Sequence, residues 1–200
     1  MIRIGVLVSG RGSNLQALLD ACAAGGVAGR VAVVVSDKAD AYGLERARQA
    51  GVEAIFLDPA TYVSRNAYNV ALAETLKARD LDLVCLAGYM RLLKEPVLEA
   101  FPWRVMNIHP SLLPAFPGLD AQKQALAYGV KVAGCTVHFV SLGMDEGPII
   151  LQAPVPVLTG DTVESLSHRI LEQEHRIYPE AVQLFAQRRL RVEGRSVILA

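Results

Sequence analysis

Three features that would indicate other classes of protein are scarce in this chain of 200 residues. It has only three cysteines, Cys22, Cys85 and Cys135, and no two of them have the spacing of a zinc site or a redox motif. Twenty basic residues are balanced by twenty acidic ones, so the formal net charge is zero. No apolar run approaches the roughly 20 residues that a membrane-spanning helix needs.

Each of these absences excludes a class of function. Scattered cysteines in apolar surroundings indicate small buried hydrophobic residues and a reducing, cytoplasmic location. The lack of a basic excess argues against nucleic-acid binding. The segment Met1 to Ser9 is ended by Gly10 and is too short for a signal peptide. We therefore expect a cytoplasmic protein that acts on small molecules only, with no nucleic acid or membrane partner, either as a monomer or as a homodimer.

The residues that are abundant predict a single α/β domain. Hydrophobic residues make up 52% of the chain, and a chain of this size buries roughly 70% of its unfolded surface without disulfides or a structural metal. Short apolar runs alternate with segments of helical period. The predicted strands are 2–8, 31–35, 53–57, 83–87, 104–108, 135–140 and 149–157, and the predicted helices are 13–24, 41–50, 65–78, 118–128 and a long one capped by Asp161 and Glu164.

The order of these elements predicts how the sheet is built. The first half reads β-α-β-α-β-α-β, which implies right-handed crossovers and a parallel sheet. In the second half two strands joined by a loop indicate an antiparallel addition, Pro154 and Pro156 indicate an edge strand, and residues 190–199 resemble a small hairpin. The fold class is therefore α/β, a Rossmann-like three-layer αβα arrangement. Residues 1–100 form the predicted phosphate-binding half and residues 101–200 the predicted catalytic half of one domain.

A glycine-rich turn follows the first predicted strand. Ser9-Gly10-Arg11-Gly12-Ser13-Asn14 combines small residues, which let the backbone approach an anion, with the start of a helix. Leu15 stands where a dinucleotide fingerprint has its third glycine, so a nicotinamide cofactor is poorly supported. The turn suits a single phosphate group, and the alternative is an ordinary tight turn with a serine cap.

The segment Val105 to Pro114 carries an asparagine and a histidine at the end of a strand. Alternation along the strand places Asn107 and His109 on one face, at the carboxyl edge where ligands of parallel sheets bind. An amide N–H beside an imidazole can bind an oxygen that gains negative charge. The alternative is a strand end at which both side chains satisfy the local backbone.

An acidic loop joins two strands of the second half. Asp145 lies between Gly143 and Gly147, and next to His109 it would favour the imidazolium form of that ring. The alternative is a solvated acid in a hairpin. His138 could face the same site, although we interpret it as a hydrogen-bonded structural histidine.

Taken together, these motifs resemble those of the phosphoribosylglycinamide formyltransferase family, the folate-dependent enzymes of purine synthesis. The resemblance covers nearly the whole chain. It rests on Ser9–Gln16, Ala87–Arg91, Asn107–Pro114, Gly134–Val140, Asp145–Gln152 and Glu174-His175 in this order and spacing. The asparagine–histidine segment marks formyltransferases in general, and the glycine-rich turn narrows the resemblance to the purine enzyme.

The resemblance implies the formyltransferase fold, 10-formyltetrahydrofolate as co-substrate, no metal, and roles for individual residues. The implied catalytic residues are Asn107, His109 and Asp145. The implied contacts to phosphoribosylglycinamide are Gly12, Ser13, Asn14 and Glu174. The implied folate contacts are Arg65, Met90, Arg91, Leu92, Leu93 and Asn107.

One segment departs from the family pattern, and three other functions stay open. After Pro117-Gly118 relatives usually carry histidine, whereas this chain has Asp120 and Gln122. A formyltetrahydrofolate deformylase would use the same three catalytic residues with water as acceptor, although such enzymes usually carry an additional N-terminal domain. A transfer-RNA formyltransferase would normally have a further basic domain. A non-catalytic module that kept the phosphate turn is the fourth hypothesis.

Overall fold

The computed structural model describes residues 1–199, which contain nine strands and six α-helices. The strands are β1 Ile2–Val8, β2 Gly29–Ser36, β3 Glu53–Phe56, β4 Leu83–Leu86, β5 Val105–His109, β6 Val132–Phe139, β7 Ile149–Pro156, β8 Leu190–Glu193 and β9 Ser196–Leu199. The helices are α1 Ser13–Ala23, α2 Tyr42–Gln49, α3 Arg65–Lys77, α4 Glu95–Ala100, α5 Ala121–Tyr128 and α6 Val163–Ala186. The chain divides into two compact units, Met1–Met106 and Asn107–Ala200.

The first unit contains a parallel sheet in the order β3-β2-β1-β4. Strand β1 is buried from Ile4 to Val8, as expected for a parallel strand that is covered on both faces and therefore reads as a continuous apolar run. Ser9 follows β1 directly, Asp37 follows β2, and the segment that begins at Ala87 follows β4. The parallel first half is therefore confirmed, and three neighbouring carboxyl ends carry polar or glycine-rich segments.

The helices of the first unit begin where small or polar residues precede them. Helix α1 begins at Ser13, as predicted, and its N-cap is Gly12, with a left-handed φ of 70° and no side-chain cap. Helix α3 is capped by Ser64, whose hydroxyl accepts from the N–H of Ala67. The sequence analysis assigned no element to the short helix α4.

The second unit contains antiparallel pairs, as predicted. Strands β6 and β7 pair from Val132 with Pro156 to His138 with Ile149, and β8 and β9 form an antiparallel hairpin. Strand β7 pairs with β9 only at Ile149 and Ser196. The prediction of an edge strand is wrong, because β7 lies between β6 and β9. Pro154 lies beyond the point where β7 pairs with β9, so its missing N–H does not interrupt this pairing.

Two helix starts differ from the predictions. Helix α5 begins at Ala121 rather than Gly118, because Gly118 and Asp120 have left-handed φ values of 79° and 56° that an α-helix cannot contain. Helix α6 is capped by Thr162, whose side chain accepts from Ser165 N–H, and not by the predicted pair. Asp161 instead binds Arg169 at 2.8 Å.

Two further observations concern the whole described chain. None of the helices within residues 1–199 has the length and apolarity that crossing a membrane requires. Cys85 and Cys135 are buried and Cys22 is half-buried. Burial, together with the charge of Glu174, raises the pKa of the Cys135 thiol to about 12, so this cysteine stays protonated at neutral pH.

Candidate active site

Four polar side chains of the second unit lie together. Asn107 and His109 are on the last residues of β5, His138 is near the end of β6, and Asp145 lies in the loop between β6 and β7. Asp145 has a left-handed φ of 55°, a conformation that aspartate tolerates better than most residues. Burial is high around the cluster, since His109 and His138 are 5% and 2% exposed.

His138 sets the orientation of the Asn107 amide. Its Nδ1 lies 2.9 Å from the carbonyl oxygen of Phe139, and because a carbonyl only accepts, Nδ1 carries the proton. In the neutral ring Nε2 is then an acceptor, and it takes a hydrogen bond from Asn107 Nδ2 at 3.2 Å. Burial lowers the pKa of His138, which favours this neutral form. His138 is thus hydrogen-bonded, as interpreted, and it also faces the predicted site.

Both ring nitrogens of His109 face oxygen atoms. Nε2 donates to the carbonyl of Phe116 at 2.9 Å, and Nδ1 lies 3.4 Å from Asp145 Oδ2. A protonated ring satisfies both acceptors, whereas a neutral ring would direct a lone pair at the carboxylate. The structure therefore brings His109 and Asp145 to ion-pair distance, the arrangement that the sequence predicts.

Asp145 also binds the loop that precedes α5. Its Oδ2 accepts from the backbone N–H of Gly118 at 2.8 Å, and its Oδ1 is 3.8 Å from His138 Nε2. Phe116 and Gly118 both have left-handed φ values, 53° and 79°. His109 and Asp145 therefore hold this strained loop at adjacent points. In this arrangement Asn107 is the residue of the cluster whose amide can still direct an N–H towards a ligand.

A buried threonine and a glutamine hold the chain that follows His109. Thr136 Oγ1 donates to Ser111 O at 2.7 Å and accepts from Leu113 N at 3.0 Å. Gln152 Nε2 donates to Thr136 Oγ1 and to Leu113 O. The sequence analysis missed both residues as parts of the site. Their only sequence signal is alternation, since Thr136 and His138 are two apart on one strand.

The glycine-rich turn of the first unit is held from outside by α2. Gly43 N donates to Gly10 O at 3.0 Å and Arg46 Nε donates to Arg11 O at 2.9 Å. In a trans peptide the carbonyl and the next N–H point in opposite directions, so the N–H groups of Arg11 and Gly12 point away from α2. Such a row of N–H groups ahead of a helix suits an anion.

The predicted folate segment follows β4. Met90 and Leu92 are 63% and 55% exposed, whereas Leu93 is buried. Arg91 is half-exposed and forms an ion pair with Asp37 at 2.9 Å. Exposed apolar side chains around a guanidinium can bind a flat ligand that carries a carboxylate or a polar edge.

Asn69 joins two parts of the same region. Its Nδ2 donates to Arg65 O and its Oδ1 accepts from Lys94 N, both at 2.9 Å. Arg65 itself is exposed at the start of α3. The sequence analysis did not select Asn69, which fixes the start of this helix to the end of the predicted folate segment.

The remaining positions that the sequence analysis selected are on or near the helices α5 and α6. Glu174, an implied substrate contact, is buried on α6. Asp120 stands at the left-handed N-cap of α5 without a side-chain cap bond, and Gln122 lies in the first turn. Within residues 1–199 no group of three or more histidine, cysteine, aspartate or glutamate side chains has an arrangement that could hold a metal ion.

Comparison with known proteins identifies the class. Residues 2–182 match the family model described as formyl transferase. The chain is 47% identical over 198 residues to the phosphoribosylglycinamide formyltransferase of Escherichia coli (strain K12), which covers 99% of this chain and 93% of that protein. The chain is also similar to the crystal structure of glycinamide ribonucleotide transformylase 1 from Symbiobacterium toebii, with 70% identity, a TM-score of 0.99, and coverage of 100% of this chain and 94% of that one.

A third relative is much longer than this chain. The trifunctional purine biosynthetic protein adenosine-3 of Drosophila pseudoobscura pseudoobscura is 48% identical over 191 residues, which are 94% of this chain and 14% of that protein. The chain belongs to the formyl transferase family and, within it, to the phosphoribosylglycinamide formyltransferases. The predicted formyltransferase fold is confirmed by the likeness to the solved structure.

Proposed function

We propose that this chain transfers the formyl group of 10-formyltetrahydrofolate to the amine of 5-phosphoribosylglycinamide, giving formylglycinamide ribonucleotide and tetrahydrofolate. The observation that carries the proposal is the cluster in which Asn107 is hydrogen-bonded to His138 and His109 lies at ion-pair distance from Asp145. Membership of the family supports it. We further propose that residues 1–200 work as one formyltransferase domain on small-molecule substrates.

The reaction needs a group that stabilises negative charge on the formyl oxygen. Attack of the amine on the formyl carbon forms a tetrahedral intermediate, and the carbonyl electron pair moves onto oxygen. Asn107 supplies one donor, because the bond of its Nδ2 to His138 uses one of its two N–H groups. A single positioned donor of this kind typically accounts for about 10²–10³ in turnover.

His109 supplies the second donor in this proposal. Its Nε2–H is bonded to Phe116 O, so it must exchange that carbonyl for the formyl oxygen when the substrate binds. The Asp145 carboxylate lies 3.4 Å from Nδ1 and orients the ring during the exchange. A cationic donor would stabilise the oxyanion more strongly than a neutral one.

The remaining step moves one proton and breaks one bond. The attacking amine loses a proton and the folate nitrogen gains one, while the bond between the formyl carbon and that nitrogen breaks. We assign Asp145 to this transfer, through water, since its carboxylate is 13% exposed beside His109. Positioned acid–base groups contribute about 10²–10⁴ in rate.

Each substrate has proposed contacts. The substrate phosphate binds the turn formed by Gly12, Ser13 and Asn14, where α2 orients the N–H groups. The folate binds Arg65 and the 90–93 segment, and Glu174 binds the amine-bearing part of the acceptor. These assignments rest on the family resemblance together with the exposure of Met90 and Leu92.

One experiment separates transfer from hydrolysis. Purified protein is mixed with 10-formyltetrahydrofolate, with and without phosphoribosylglycinamide, and the folate absorbance is followed. We expect loss of the formyl group only when the amine is present, with one formylated amine per tetrahydrofolate. Loss at the same rate without amine would instead indicate a deformylase, and phosphate-dependent binding without turnover would indicate a non-catalytic module.

A further inference from the structure

A buried carboxylate at the end of β2 has no role in the function described so far. The side chain of Asp37 is 2% exposed. Its Oδ1 accepts from Ser9 Oγ at 2.5 Å and its Oδ2 accepts from Arg91 Nε at 2.9 Å. An ionised carboxylate is costly to bury unless it is paired and hydrogen-bonded, so these two partners account for its presence.

The bond to Ser9 reaches the backbone of the predicted folate segment. Ser9 Oγ gives its single proton to Asp37 and accepts from Met90 N at 2.9 Å. The backbone of Ser9 also donates to Gly88 O at 3.1 Å. The chain from Gly88 to Met90 is thus attached to the end of β1 at two points, and Asp37 decides which way the serine hydroxyl faces.

The bond to Arg91 fixes the guanidinium plane. Asp37 takes the Nε–H, which is one of the five N–H donors of the group, and its bond does not use the Nη donors. The guanidinium carbon lies 5.4 Å from the centre of the Tyr68 ring. The Tyr68 hydroxyl is bonded to that of Tyr89 at 2.7 Å. Arg91 is therefore held at one edge and one face, while 37% of its side chain remains exposed.

We propose that Asp37 is a positioning residue for the folate, which orients the Arg91 guanidinium directly and the Met90 backbone through Ser9. The inference rests on the proposed function. It adds a residue that does not touch the folate but prepares the segment that does. Ordering the segment before binding removes part of the cost of immobilising it, which corresponds to about 3- to 10-fold in affinity.

The direct test is Asp37→Asn, which keeps the shape and an acceptor for Ser9 but removes the charge that holds Arg91. We expect the KM for 10-formyltetrahydrofolate to rise about 3- to 10-fold, with kcat and the KM for phosphoribosylglycinamide within about 2-fold of the parent. Fluorescence titration with 10-formyltetrahydrofolate alone should show the same loss of affinity. An unchanged folate affinity would overturn the proposal.

A double-mutant cycle distinguishes positioning from general destabilisation. If Asp37 acts through Arg91, Asp37→Asn should have less than a 2-fold effect on folate affinity in an Arg91→Ala background. An equal loss in both backgrounds would contradict the proposal. The matched control is Asp161→Asn, which breaks a similar ion pair to Arg169 with a carboxylate that is 4% exposed and should leave folate affinity unchanged.

One further variant and one measurement on the wild-type protein keep the test decisive. Should Asp37→Asn fail to fold, Ser9→Ala keeps the ion pair of Asp37 with Arg91 and removes the two bonds of the serine hydroxyl, to Asp37 and to Met90. It should weaken folate binding by a smaller factor than the charge loss. Wild-type folate affinity in Ser9→Ala would then contradict the relay. Because titration needs no acceptor, a wild-type protein that deformylates folate without amine would overturn the proposed transfer and still leave the role of Asp37 measurable.

Discussion

The carboxylate of Asp145 lies 3.4 Å from His109 Nδ1 and accepts a hydrogen bond from the backbone N–H of Gly118 at 2.8 Å. One side chain thus joins the ion pair of the site to the loop before α5. The other ring nitrogen of His109, Nε2, donates a hydrogen bond to Phe116 O in the same loop. Any change that moves this loop is therefore expected to change the environment of both residues.

Replacing Asp145 by asparagine should lower turnover strongly and leave the fold intact. Asparagine keeps an oxygen for Gly118 N–H but removes the negative charge beside His109. We expect kcat to fall by about 10²-fold, since the proposed proton transfer depends on that charge. Steady-state kinetics and thermal unfolding measure the two effects separately, and a kcat within 3-fold of the parent would contradict the assignment.

Replacing His138 by phenylalanine should change the orientation of the Asn107 amide without removing a group that contacts the substrate. The variant removes the acceptor of the Asn107 Nδ2–H, so the amide is no longer held in one orientation. We expect kcat to fall about 10- to 100-fold. His168→Phe is the control, because the side chain of His168 is 77% exposed and forms a pair with Glu172 on the same helix. Comparable losses in both variants would remove the proposed role.

The buried His138 also predicts a dependence of stability on pH. Burial lowers its pKa in the folded state, whereas the unfolded chain takes up a proton near pH 6.5. Its contribution to stability is thus fully present above pH 6.5 and is lost as the pH falls towards the folded pKa. Urea unfolding at pH 8 and pH 5.5 should show a smaller loss of stability in His138→Phe than in the parent, and equal losses would contradict the prediction.

Replacing Gly12 by alanine should destabilise the protein and weaken phosphate binding. Gly12 has a φ of 70°, and an added Cβ would lie 2.8 Å from Gly43 Cα. The left-handed conformation costs about 1–2 kcal/mol for a residue with a Cβ, and the close backbone contact adds about 1–3 kcal/mol. Gly25→Ala is the matched control, since its φ is 75° and nothing lies within 4 Å of the added atom. Equal free energies of unfolding for the two variants would contradict the close packing of the turn.

Arg46 should matter for the phosphorylated acceptor although its bonds are to Arg11 O on the outside of the turn and to the side chain of Gln16. Without its bond to Arg11 O, the peptide that presents Gly12 N–H can rotate. We expect Arg46→Ala to raise the KM for phosphoribosylglycinamide about 3- to 10-fold and to leave the folate KM unchanged. Arg48→Ala removes the same charge from the same helix at an exposed position. A similar change in that control would show that charge alone, and not orientation, is responsible.

Local patterns predicted the strands and the motifs, because the signals are contained in short segments. Buried β1 reads as an apolar run, and Asn107 and His109 are two apart on one strand. The sequence did not predict the contacts of Asp37 with Ser9 and Arg91, which join residues 28 and 54 positions apart. The spacing of ion pairs along a chain carries no such information unless both members are on one helix.

The wrong helix starts have a local cause. Asp161 and Glu164 satisfy the spacing of a capping box, but Thr162 and Ser165 satisfy it as well, and the structure uses the second pair. At α5 the left-handed conformations of Gly118 and Asp120 follow from the bonds of their loop to Asp145 and His109. The helical period of residues 118–128 carries no information about these contacts with distant residues.

The register of strand β6 determines which side chains reach the site in the second unit. Thr136 is hydrogen-bonded to the chain that follows His109, and His138 is hydrogen-bonded to Asn107. Both side chains lie on one side of the strand because they are two residues apart. A shift of β6 by one residue would place Cys135 and Val137 on the face that Thr136 and His138 occupy. Neither side chain would replace the hydrogen bonds to the Asn107 amide and the Ser111 carbonyl. Insertions or deletions within this strand should therefore abolish activity even where the protein still folds.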